Sequence, residues 1–92
     1  MGVVYDELYI STMREMDVCT GVIRQMEKII GDMEKRYHLK TSEFMERFTK
    51  GGMENNNDFV TWHASYERLK HWEGRLKDFE AVLQNAKHGS MR

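Results

Sequence analysis

Apolar residues recur through the first third of the chain at helical spacing. Met16, Cys19, Ile23, Met26, Ile30, Met33 and Tyr37 stand 3, 4, 3, 4, 3 and 4 residues apart. A repeat near 3.5 residues puts them on one side of an α-helix. Val22 and Ile29 widen that stripe on one flank, and Tyr5, Leu8, Tyr9 and Met13 carry it toward the N-terminus less regularly. The spacing predicts one long helix over about 3–37. Gly21 and Gly31 lie inside it. Each weakens a helix by roughly 1 kcal/mol relative to Ala, and each would allow a bend or the close approach of a neighbouring helix.

A short element follows. Thr41 reads as the N-cap of a helix over about 42–50, with Glu43 in the first turn, where negative charge suits the helix dipole. Phe44, Met45 and Phe48 give it an apolar face, and Gly51-Gly52 end it. A polar loop, Met53 to Asn57, offers Asn55, Asn56 and Asn57 as caps for what comes next. Phe59, Trp62, Tyr66, Leu69, Trp72, Leu76, Phe79 and Leu83 are then spaced 3, 4, 3, 3, 4, 3 and 4 residues apart. They predict a third helix over about 58–87, weakened at Gly74 and followed by a frayed tail at 88–92.

The expected fold is therefore all-α, a single domain over 1–92. At 1.5 Å per residue the two long helices span roughly 50 and 45 Å. The short helix and its turns let them run antiparallel as a helical hairpin, braced at one end. Their joint seam is expected to hold Met16, Cys19, Ile23, Met26, Ile30, Met33, Leu69, Leu76, Phe79 and Leu83. The stripes are too broad for one pair of helices to hide, and the far end, with Tyr5, Leu8, Tyr9 and Leu83, has no brace. A homodimer with a four-helix core is the simplest cover.

Composition narrows the function. A chain of 92 residues is one domain at most, with a marginal core. There is no proline, which suits a helical chain with few connections. The single cysteine, Cys19, excludes an intrachain disulfide framework and points to a reducing cytoplasm. Fourteen basic residues against fifteen acidic ones leave a net charge of −1, so nothing draws the chain toward nucleic acid or an anionic membrane. No apolar run could span a bilayer, and the opening Met1 to Glu7 lacks the basic start of a signal peptide.

Little in the sequence promises chemistry. His63, Glu67 and His71 share a helix face at i, i+4 and i+8, yet they lack the His-Glu-x-x-His pairing and read as a solvated face. Cys19 sits on the apolar seam with Asp17 as its near charge, the wrong sign to activate a thiol. A small helical mutase would need inward arginines and lysines. Only Arg24 and Lys28 flank the first seam. No catalytic, cofactor-binding or metal-binding residue is assigned, and an enzyme is not expected. Arg68, Lys70, Arg75 and Lys77 interleave with Glu67, Glu73, Asp78 and Glu80, the mixture of a solvated helix face. The aromatic residues Phe59, Trp62, Tyr66 and Trp72 remain. They are the candidate partner-binding residues, since large aromatics dominate both cores and contact hot spots.

From Tyr37 to Leu83, about half the chain, the sequence resembles a largely uncharacterised group of short prokaryotic and archaeal proteins. The residues that carry the likeness are Tyr37, Thr41, Glu43, Phe44, Phe48, Gly51, Asp58, Phe59 and Trp62. Tyr66, Leu69, Arg75, Leu76 and Glu80 continue it less specifically. Members of that group look like antitoxin-type partners, encoded beside a small toxin-like protein. The resemblance implies a non-enzymatic helical chain that binds and masks another protein, and it supplies no catalytic residue. One departure is visible: the group's loop is rich in Asp and Glu, whereas Asn55-Asn56-Asn57 stands here. The expected partners are thus a second copy and a small protein from an adjacent gene. The alternatives are a self-associating structural bundle and a small mutase-type enzyme.

Overall fold

The computed structural model describes the backbone from Gly2 to Ser90 and the side chains from Glu7 to Asn85. Three helices follow in order: α1, Gly2–Tyr37; α2, Thr41–Thr49; and α3, Asn57–Ser90. α1 and α3 pack along each other antiparallel, and α2 braces the end where they meet. The molecule measures 57 × 20 × 18 Å. The expected role of Tyr5 lies outside the described side chains, as do the residues Met91 and Arg92 of the expected frayed tail.

Each helix boundary has a local cause. α1 stops because His38 turns into the left-handed region, at φ 50°, and Leu39 N–H then reaches back to the Glu34 carbonyl at 3.3 Å. That six-residue closure is a Schellman ending, with histidine where glycine is commoner. α2 stops at Gly51 and Gly52, which take φ 89° and 90°. α3 is capped by Asn56, whose side-chain oxygen accepts from Asp58 N–H at 2.8 Å and Phe59 N–H at 3.4 Å. Of the three asparagines, Asn56 is therefore the cap.

Some sequence expectations are corrected. Thr41 is not the N-cap of α2. Lys40 holds that place, without a side-chain cap, and Thr41 is the first helical residue. The seam also differs. Thr12 and Ser65 are buried within it, while Met13 is exposed. With Ser65 in place of Tyr66, the α3 seam becomes Trp62, Ser65, Leu69, Trp72, Leu76, Phe79 and Leu83, alternating 3 and 4 throughout. Within the hairpin neither Gly21 nor Gly31 faces another helix, since open space lies where a Cβ would stand at each. α3 also runs past its expected end at 87, to Ser90.

Burial is concentrated at the braced end. Ile30, Met33, Phe44 and Trp62 form the core cluster, with Tyr37, Leu39, Met45, Phe48, Phe59, Tyr66 and Leu69 packed around it. Cys19 and Met26 continue the enclosed row along α1. Met16 and Ile23 on α1, and Leu69, Leu76, Phe79 and Leu83 on α3, stay only half-buried. Two helices have no third surface to close over them there.

Candidate interaction surfaces

The braced end is a tightly connected structural unit. The Phe44 and Trp62 rings stack with centroids 4.0 Å apart and planes 2° from parallel, and neither side chain has exposed surface. Trp62 Nε1–H donates to the Thr41 hydroxyl at 3.1 Å. Thr41 in turn donates its hydroxyl and its backbone N–H to one Glu34 carboxylate oxygen, at 2.7 and 2.9 Å. Glu34, from the last turns of α1, thus caps α2. A carboxylate there satisfies a helix-start N–H and meets the positive end of the dipole.

A second knot lies beside it. One oxygen of Asp58 accepts from the Tyr37 hydroxyl at 2.6 Å and from Arg36 Nη1 at 2.8 Å. The Tyr37 bond, and after it the Arg36 bond, hold the Asp58 carboxyl below its ordinary range. The same bond to Asp58, followed by burial, pushes the Tyr37 phenol up. Among the described residues every buried side-chain nitrogen or oxygen has a partner. The polar groups here are already satisfied by one another, as structural groups are.

The sequence-level candidates fall in different places. Trp62 is enclosed in the core. Phe59 packs on Tyr37 and Phe44, with centroids 4.9 and 5.6 Å away, and Tyr66 is half-buried beneath Lys70. Trp72 is half-buried farther along α3, where Arg75 lies 5.3 Å from its ring and 5.5 Å from that of Phe79. His63 stacks on Phe48 at 4.4 Å and belongs to the brace. His71 sits edge-on to Trp72. Among the described residues no three His, Cys, Asp or Glu side chains are grouped to hold a metal ion. Arg24 and Lys28 are exposed on α1. Cys19 is a free thiol without exposed surface.

Among the described residues two apolar surfaces remain open. The first is the unbraced end of α1, where Leu8 and Ile10 are each 51% exposed, with Tyr9 and Met13 beside them. The second is the face of the hairpin turned away from α2. Met26, Ile29, Val60, Thr61, Ala64, Ser65 and Arg68 line a groove of about 420 Å³ there. α2 packs against the Phe59, Trp62 and His63 side of α3. The 3.6-residue turn places Thr61, Ala64 and Arg68 on the opposite flank. Spacing of four and seven puts Val18 and Val22 in line with Ile29, and Val18 is 53% exposed. In the sequence Val22 and Ile29 stand out as a flank of the stripe, and Val18 shares their helical spacing, as Val60 and Ala64 share one turn of α3.

No helix in the described residues is long and apolar enough to cross a membrane. Comparison with protein-family models, with curated proteins and with solved structures gave no match.

Proposed function

We propose that this chain is a non-enzymatic helical interaction module, a braced hairpin that dimerises into a four-helix core and masks a small partner protein. The observation that carries the reading is the half-exposed apolar group Leu8, Tyr9, Ile10 and Met13 at the unbraced end. The four fall within two turns of α1 that no brace covers, and exposed apolar side chains gathered in this way mark protein contacts. Burying a large apolar side chain contributes about 1.5–3 kcal/mol, so a few of them approach the ~8 kcal/mol of a micromolar complex, before association costs. The resemblance of the segment from Tyr37 to Leu83 to antitoxin-type proteins makes the product of an adjacent gene the first partner to try, with the reducing cytoplasm as its setting. The interleaved charges of α3 suit solvent better than nucleic acid.

The test is co-expression with the neighbouring gene's product, followed by size-exclusion chromatography with light scattering. A mixed complex, weakened at least tenfold by Leu8→Glu or Ile10→Glu and less by Trp72→Ala, is the expected result. Separate elution of the two chains removes the masking role.

A further inference from the structure

We infer that the face of the hairpin opposite α2 is where a second copy of this chain docks, an inference that rests on the interaction-module reading and locates its self-contact. The first ground is area. The chain exposes 7037 Å². A compact monomer of 11.0 kDa exposes about 5,600 Å². The surplus is roughly 1,400 Å² per chain, and a standard interface needs only about 800 Å² from each partner. The radius of gyration agrees, at 18.1 Å where a compact chain of this length has about 12 Å. One hairpin is thus half of a bundle by surface and by shape.

The second ground is the apolar character of one long face. α2 already covers one face of the hairpin at the braced end. The other face carries the apolar row Val18, Val22 and Ile29 on α1, with Val60 and Ala64 across the groove on α3. Among the described residues Arg68 is the one charged side chain lining the groove. A two-fold contact requires a patch that can meet its own copy, and the groove offers one that is mostly apolar, while exposed Arg75 and Asp78 continue the same α3 flank beyond it. α1 and α3 have nearly equal lengths, 36 and 34 residues, so two hairpins can pair along their whole extent. The result is four long helices around one core, with a brace on each outer face. The half-buried Val22 and Ile29 then become interior.

The experiment uses the purified full chain alone, by light scattering after size exclusion at tens of micromolar, with circular dichroism on every variant. Wild type is expected at twice 11.0 kDa. Ala64 is exposed, so Ala64→Arg is expected to keep its helicity while dimerisation weakens at least tenfold. Ile29→Glu is expected to do the same. Glu46→Arg, on the exposed side of the brace, should leave the dimer intact. A helical Ala64→Arg variant that dimerises as wild type does overturns the inference and leaves the dimer standing on another face, whereas a monomeric wild type overturns the inference and the proposed dimer together. Neither result touches the masking role, which stands or falls on the mixed complex with the neighbouring gene's product.

Discussion

One Glu34 carboxylate oxygen receives both the hydroxyl and the backbone N–H of Thr41, at 2.7 and 2.9 Å. The carboxylate comes from α1 and the helix it caps is α2, so this contact ties the brace to the hairpin. Thr41 also accepts the indole N–H of Trp62 from α3. All three helices meet through one hydroxyl.

That arrangement makes Glu34→Ala costly for a partly exposed residue. Losing an N-cap acceptor destabilises by about 1–2 kcal/mol. Thr41→Val should cost about 1–3 kcal/mol, because it leaves the buried Trp62 N–H without an acceptor. The two losses share one network, so the double variant should fall short of their sum. Urea denaturation of the four proteins at one concentration measures this.

Acid and alkali should act on the second knot. Asp58 has a depressed pKa in the folded chain. Its contribution is present above the unfolded value near 3.9 and is lost as pH falls through the folded one. Tyr37 has a raised pKa. Its contribution is complete below the unfolded value near 10 and is lost as pH rises through the folded one. Thermal stability should be level between about pH 5 and 9 and decline outside that window. Asp58→Asn should reduce the acid decline. Tyr37→Phe should reduce the alkaline one.

The two tryptophans should behave differently. Trp62 is fully enclosed against Phe44, so Trp62→Ala should cost about 3–5 kcal/mol and come close to unfolding the chain. Trp72 is half-buried and flanked by Arg75, so Trp72→Ala should cost less than half as much. Equal losses in urea would mean that the far half of the hairpin is packed as tightly as the braced end.

Gly21, Gly31 and Gly74 lie inside helices with open space around each missing Cβ. Alanine at each site should add about 0.5–1 kcal/mol, and distant sites should add independently. A triple variant that melts no higher than wild type by circular dichroism would show that one of these positions needs its glycine.

Helix content, order and approximate bounds were legible in the sequence, because apolar periodicity and glycine stops act locally. On α1 the buried Cys19, Met26, Ile30 and Met33 all belong to the apolar row visible in the spacing, while Met16, Ile23 and Tyr37 of the same row stay half-buried. Thr12 and Ser65 were not legible, since small polar residues carry no hydrophobic signal although their size suits a tight helix contact. Thr41 was identified as important in the right place, but its role was not. A capping threonine and one held by a carboxylate seven residues earlier look the same in one dimension. The fate of the aromatics was likewise undecided by spacing. Phe59, Trp62, Tyr66 and Trp72 share one stripe, and the stripe says only that they lie on the same side of a helix. What separates Trp62 from Trp72 is α2, which stacks Phe44 on the first and ends before the second. Local pattern determined which residues can be buried. Only the packing of three helices in space decided which of them are, and which face was left uncovered.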